Sequence, residues 1–341
     1  MLNMYSISNR RYTGSKYKLI DWIEELILEN CEGESFFDVF AGTGVVSEHM
    51  SKHYNKVIIN DFLFSNEIIY KAFFGNGEYD AGVIEKYKEK FQKIDPDRIG
   101  DNYFSENFGG KYFSNNDAKL IGKIREDINR LKRVLSDREY YILLASLVYS
   151  MDRVANTVGH YDAYRKINNI KDRFVYDLIS PEKPSDKFYI YRMDANELVR
   201  KVKADIAFID PPYNSRQYSR FYHVLENVVQ WKKPQLEGTA LKPKAENMSE
   251  YCKSRAPEVF ADLIRNINAK YIIVTYNNTY NSKSSSSKNK ITLEEIKKIL
   301  SSKGQTAIYE KKHQCFNAGK TELDDHKEFV FITKVGLNNG K

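Results

Sequence analysis

An acid, two prolines and an aromatic stand in a row at Asp210-Pro211-Pro212-Tyr213, directly after the apolar stretch 206–209. Such a short apolar run predicts a buried strand, and consecutive prolines cannot continue a central strand. The carboxylate is therefore expected at a strand tip, with the aromatic ring just past a stiff turn. An ordinary strand-ending turn needs neither group. Prolines that fix the backbone let a peptide carbonyl and the Asp210 carboxylate accept hydrogen bonds from one planar amino group, while Tyr213 stacks on the attached ring. The exocyclic amino group of adenine is a poor nucleophile because its lone pair is delocalised. Two acceptors aimed at its hydrogens favour a pyramidal nitrogen that can attack, which is electrostatic preorganisation. If the electrophile is a methyl group already activated on a sulfonium, the site needs only in-line placement. Neither a metal nor a Ser-His-Asp or Cys-His arrangement is then required.

A second group of residues suggests how such a donor is held. Phe40-Ala41-Gly42-Thr43-Gly44 lies where the apolar run 35–40 hands over to a helical pattern at 45–53. Two glycines at that point let backbone amides approach a ligand at a helix N-terminus. Alone, the turn also fits an ordinary strand-to-helix connection. The next strand, 56–61, ends in Asp61, about 20 residues on, where a carboxylate can hold the two hydroxyls of a ribose. Val45, Val46 and Ser47 follow Gly44, so the full dinucleotide fingerprint is absent and a pyrophosphate is not indicated. S-adenosylmethionine carries a ribose and an adenine without phosphate.

The elements that must position these residues are readable from periodicity. Leu19, Ile20, Ile23, Leu26 and Ile27 form one face of an opening helix within 14–30, and 62–74 reads as another helix. Strand patterns recur at 188–193, 205–210, 271–276, 306–311 and 328–333. With 35–40 and 56–61 this predicts an α/β fold with a seven-stranded, doubly wound, Rossmann-like sheet. The segment 312–327 lacks an apolar period, so the last two strands are expected to form an antiparallel hairpin. Before them, 281–290 contains four consecutive serines and reads as a flexible surface loop. Residues 75–186 break the alternation with helical segments. One carries Ile121, Ile124, Ile128, Leu131 and Leu135, another at 139–151 is apolar nearly all round, and 100–116 reads as a polar connection. The expected organisation is a catalytic domain formed by 1–74 and 187–341, interrupted by a helical insertion at 75–186. After Tyr213, the apolar face of Phe221, Val224, Leu225, Val228 and Val229 predicts a helix packed on the sheet.

Composition narrows the classes. Lys and Arg number 53 against 46 Asp and Glu, a net charge of +7 over 341 residues, and 42% of residues are hydrophobic. The surplus is compatible with a polyanionic partner without requiring one. No stretch approaches the ~20 apolar residues of a membrane span. Residues 1–11 lack the apolar core of a secretory signal, so a cytoplasmic protein is expected. Cys31, Cys252 and Cys315 have neither disulfide nor zinc spacing, and no metal site is expected. His160, without a second ligand nearby in sequence, reads as a structural histidine. Asn214, Arg216 and Tyr218 could border a flipped base or meet a phosphate, and Arg216 reads equally as a surface residue. Lys232, Lys233, Lys242, Lys244, Lys283, Lys288 and Lys290 could track a DNA backbone or form solvated basic loops.

The order Arg11-Tyr12-Thr13-Gly14-Ser15-Lys16, Phe40 to Gly44, a sizeable insertion and Asp210 to Tyr213 resembles the Dam-like, alpha-group class of N6-adenine DNA methyltransferases. The resemblance spans nearly the whole chain. Asn156-Thr-Val-Gly-His-Tyr161 and Asp210-Pro-Pro-Tyr-Asn-Ser-Arg-Gln-Tyr218 look nearest to the modification enzymes of type IIS restriction systems. The resemblance implies S-adenosylmethionine as cofactor, with Tyr12 and Lys16 lining its pocket and Asp38, Phe40, Gly42 and Gly44 forming its floor. Asp61 would hold the ribose and Asp194 the adenine amino group, while Asp210, Pro211, Pro212 and Tyr213 would be catalytic. Ser15 departs from relatives that carry a second glycine there. The implied partner is double-stranded DNA, with target recognition by the insertion and the target adenine extruded from the stack. A cognate restriction endonuclease and a monomeric state are further expectations. Methylation of the cytosine amino group is the rival within the class, and Asp rather than Ser at 210 favours adenine. An RNA substrate and a catalytically silent DNA-binding subunit are the remaining alternatives.

Overall fold

Apolar runs become strands and one-sided patterns become helices along most of the chain, of which the computed structural model describes residues 4–279, 288–312 and 326–336. The first half contains α1 (Ile20–Asn30), β1 (Ser35–Asp38), α2 (Val45–Met50), β2 (Lys56–Asn60), α3 (Phe64–Phe74), α4 (Ala81–Gln92), α5 (Tyr103–Phe108), α6 (Asn115–Leu131) and α7 (Asp137–Val154). The second half contains β3 (Phe188–Tyr191), α8 (Ala195–Leu198), β4 (Ile206–Ile209), α9 (Tyr218–Phe221), α10 (His223–Gln230), α11 (Ala256–Asn266), β5 (Tyr271–Asn277), α12 (Leu293–Ser301), β6 (Gly304–Lys312) and β7 (Lys327–Val335). The chain divides into two units. One takes in Met1–Gly14, Leu63–Phe188 and Tyr218–Glu246, the other Ser15–Phe62, Tyr189–Gln217 and Asn247–Lys341.

The second unit is built on the seven-stranded sheet, in the order β3-β2-β1-β4-β5-β7-β6. β1 lies parallel to β2 and β4, and β4 parallel to β5. β7 runs antiparallel between β5 and β6, so the last two strands form the hairpin that the sequence predicts. Their connection, with Cys315, falls outside the described residues, as do Lys283 and most of the serine loop. Winding starts at β1 and proceeds to β2 on one side and later to β4 on the other. The C-terminal tips of β1 and β4 therefore flank the point of reversal, where ligands of open α/β sheets bind. One face of the sheet, through Phe37, Val39, Ile58, Ala207, Ile209, Ile272 and Val274, packs with Phe260, Leu263 and Ile264 of α11 and Ile296 and Leu300 of α12. Each buried Phe, Val, Ile or Leu side chain contributes about 1.5–3 kcal/mol. That packing holds the strand tips in register.

In the first unit α7 is buried on nearly every side, and several of its polar side chains bond to groups within the unit. Asp152 accepts from the Tyr161 hydroxyl at 2.9 Å and the Arg11 amide at 3.0 Å. Two expectations are corrected here. Residues 100–116 are no polar connection: Phe104, Phe108, Tyr112 and Phe113 are fully buried, with Phe104 and Phe108 one helical turn apart on α5. The helix after the Asp210–Tyr213 turn, α10, belongs to this unit, where it packs against α3 and α7, and not to the unit that holds the sheet. An apolar stripe says that a helix is covered but not by what, and here polar contacts choose the partner. Glu226 of α10 accepts from the amides of Phe64 and Ser65 at 3.1 and 2.7 Å, capping the start of α3. Arg125 of α6 donates to the carbonyls of Val228 and Val229 at the other end of α10, at 2.6 and 3.2 Å.

Candidate active site

The register of the sheet brings the chemistry together. Ile209 of β4 lies opposite Val274 of β5, so the next residues, Asp210 and Thr275, stand side by side on the same face. The Thr275 hydroxyl donates to Asp210 Oδ1 at 2.7 Å. The Tyr213 hydroxyl donates to the same oxygen, and Lys16 Nζ lies 2.8 Å from Oδ2. The Lys16 ammonium also sits 5.0 Å from the centre of the Tyr213 ring. Burial opposes the charge on Lys16, but Asp210 and Glu328 outweigh it and raise its pKa above the ordinary lysine value. Burial, reinforced by the charge of Asp210, holds the Tyr213 phenol well above its usual range, so it remains a donor. The Tyr213 carbonyl accepts from the Lys290 amide at 2.8 Å and the Tyr276 hydroxyl at 3.3 Å. Both of its lone pairs are thereby engaged.

Next to this cluster, Gly42 and Gly44 adopt φ of +54° and +82°, a left-handed backbone that glycine enters without cost. The turn is held from β2: Asp61 Oδ2 accepts from the Gly42 amide at 3.0 Å, and the Ala41 amide donates to the Asn60 carbonyl at 2.9 Å. Phe40 packs edge-on against Tyr251 with ring centres 5.0 Å apart. Asp38 is buried at the tip of β1, where Oδ2 accepts from Ser47 at 2.7 Å and Oδ1 has no partner among the described residues. Burial first, and then the charges of Asp210 and Asp61, push its pKa up to about 7 against the Ser47 hydrogen bond. Three carboxylates thus gather at the tips of adjacent strands around a glycine turn. That donor set suits a ligand bearing positive charge and hydroxyls, and S-adenosylmethionine, with its sulfonium, ammonium and ribose, meets both requirements.

The structure brings Lys16, Asp38, Phe40, Gly42, Gly44, Asp61, Asp210, Pro211, Pro212 and Tyr213 into the unit that holds the sheet. Asp194 is in the same unit, exposed, with its side chain capping α8 by accepting from the Glu197 amide at 3.2 Å. Tyr12 belongs to the other unit, where it stacks on Tyr222 and Tyr218 with ring centres 4.7 and 5.3 Å away. His160 stacks on Phe221 at 4.4 Å. Among the basic residues, Lys233 pairs with Glu126 at 3.0 Å and Lys242 pairs with Asp162, while Lys244 and Lys288 are exposed. The backbone amide of Arg216 is taken by Asn214 Oδ1 at 3.1 Å. Cys31 and Cys252 are buried thiols.

Sequence reasoning missed Thr275 and Asn60. The buried Asn60 side chain donates to the carbonyls of Val39 and Met193 at 3.1 and 3.2 Å and accepts from the Met193 amide at 3.0 Å. It thereby staples the end of β1 and the approach to Asp194. Neither residue lies in a motif. Their one visible signal is a polar residue at the C-terminal end of an otherwise apolar strand.

A mixed seven-stranded α/β sheet with a glycine turn after β1 and Asp-Pro-Pro-Tyr after β4 defines a methyltransferase directed at an amino group. Residues 12–280 match the D12 class N6 adenine-specific DNA methyltransferases, and the chain belongs to that family. It is 33% identical over 335 residues to the type II methyltransferase M.NlaIII of Neisseria lactamica, covering 93% of this chain and 95% of that one. It is 35% identical over 293 residues to the modification methylase StsI of Streptococcus sanguinis, covering 79% of this chain and 44% of that one. With the type II methyltransferase M.FokI of Planomicrobium okeanokoites the identity is 33% over 360 residues, covering 96% and 53%. The chain thus spans nearly all of M.NlaIII and about half of StsI and M.FokI. The family's base is adenine in DNA, which sets aside the cytosine reading. Among the described residues no helix is long and apolar enough to cross a membrane.

Proposed function

We propose that this chain transfers the methyl group of S-adenosylmethionine to the N6 amino group of adenine at a specific sequence in double-stranded DNA, as the modification enzyme of a restriction-modification system. The observation that carries the reading is Asp210, fixed at the tip of β4 by Lys16, Tyr213 and Thr275 beside the glycine turn. The cofactor supplies an activated methyl group. Asp61 binds its ribose, Asp38, Phe40, Gly42 and Gly44 form the floor beneath it, Lys16 lines its pocket, and Asp194 accepts from its adenine amino group. Asp210 and a proline carbonyl accept the hydrogens of the target amino group, because the carbonyl of Tyr213 is already engaged. Tyr213 stacks on the extruded base and offsets part of the few kcal/mol that extrusion costs.

Residues 75–186 carry target recognition in this proposal, and the protein acts as a cytoplasmic monomer beside an endonuclease of the same specificity. The relatives' names, type II methyltransferase and modification methylase, support the restriction-modification role. The test is incubation with labelled S-adenosylmethionine and unmethylated genomic DNA, followed by sequencing that detects methylated bases. Methyladenine at one recurrent sequence is expected. Asp210→Ala should abolish incorporation while cofactor and DNA binding stay measurable, and incorporation by that variant would overturn the role of Asp210.

A further inference from the structure

We propose that Thr275 is a positioning residue for methyl transfer, acting by deciding which oxygen of Asp210 receives the target amino group. The inference rests on the catalytic role proposed for Asp210. A carboxylate offers about four lone-pair sites, two on each oxygen. Oδ1 accepts from both the Thr275 hydroxyl, at 2.7 Å, and the Tyr213 hydroxyl, which fills it. Oδ2 accepts from Lys16 at 2.8 Å and keeps acceptor capacity. The adenine amino hydrogen is therefore directed to Oδ2, and Thr275 and Tyr213 together keep the carboxylate from rotating to present the other oxygen.

Thr275 is suited to this by its place in the fold. It is 1% exposed and lies two residues before the C-terminal end of the seven-residue strand β5, paired on the β7 side with Val330. On the other side, the parallel register of β4 and β5 sets it beside Asp210. The next residue, Tyr276, turns to the opposite face and holds the Tyr213 carbonyl at 3.3 Å. Two consecutive residues of β5 thus grip the catalytic turn at its first and last members.

The test compares Thr275→Val, Thr275→Ser and Asp210→Asn in single-turnover methyl transfer to a duplex containing the recognised site. Valine keeps the shape and strand preference of threonine but loses the hydroxyl. Thr275→Val should slow transfer by roughly tenfold to a hundredfold, the effect of a misplaced reacting group. Affinities for S-adenosylmethionine and DNA should stay within about twofold of the parent. Thr275→Ser should restore the rate. If Thr275→Val transfers at the parental rate while Asp210→Asn is inactive, the inference about Thr275 fails alone. If Asp210→Asn transfers normally, the underlying reading of the site fails. A valine variant whose cofactor binding falls with its rate, unrescued by serine, would make Thr275 a structural residue only. Should Thr275→Val not fold, Thr275→Ala against Thr275→Ser makes the same comparison.

Discussion

Asp38 shows how one buried carboxyl can tie stability to pH. Its Oδ1 has no partner among the described residues, and burial together with Asp210 and Asp61 raises its pKa to about 7. A carboxyl whose pKa is higher folded than unfolded holds its proton more tightly in the native state. Its contribution is complete below the unfolded value near 4 and is lost as pH rises through about 7. Asp38→Asn should therefore be more stable than the parent above pH 7, by up to roughly 4 kcal/mol at 1.4 kcal/mol per pKa unit. The two proteins should converge near pH 4. Calorimetric melting at pH 5 and pH 8 measures this, and a parallel pH dependence in both would show that Asp38 is not the titrating group. At this scale the sequence was legible where a residue sits in a motif, as Asp210, Gly42 and Asp61 do. Thr275 was not, because a lone threonine at a strand end is ordinary until the neighbouring strand is known.

At the scale of elements, local signals set where helices begin and tertiary contacts set what they pack on. α7 opens with Ser136, whose hydroxyl accepts from the Glu139 amide at 3.2 Å, while Glu139 accepts from the Ser136 amide at 2.9 Å. The Glu139 carboxylate also holds the Asp80 amide at 3.0 Å, just before α4. Ser136→Ala should lower stability by about 1 kcal/mol, the ordinary worth of such a cap, with methyl transfer at permissive temperature unchanged. Urea unfolding would measure it, and an unshifted midpoint would mean that Glu139 alone sustains the cap. The apolar core of α7 is visible in sequence. The partner of α10 is not, since its stripe would suit a sheet equally well. Glu226 of α10 decides for α3 through the Ser65 amide, and Arg125 of α6 reaches the Val228 carbonyl, so the choice depends on residues more than 100 positions away in the chain.

For the whole molecule, a net charge of +7 and a DNA substrate predict an affinity that falls with salt as counterions cease to be released. Even two neutralised phosphates imply about a tenfold loss between 50 and 200 mM salt. Fluorescence titration of a labelled duplex across that range would test this, and a flat response would mean that phosphate contacts contribute little. The sequence by itself determined the class of chemistry, because an acid, two prolines and an aromatic ring after a buried strand constrain backbone and hydrogen bonding locally. It determined the strands as well, through continuous apolar runs, and the closing hairpin, through a connection without helical period. Only the tertiary structure decided that Lys16 and Thr275 engage opposite oxygens of Asp210, that Asp61 grips the Gly42 amide, and that Asp38 is left with an orphaned oxygen. Those contacts join residues 19 to 194 positions apart, and what brings them together is strand order and register, which follow from the packing of the entire sheet rather than from any short stretch of chain.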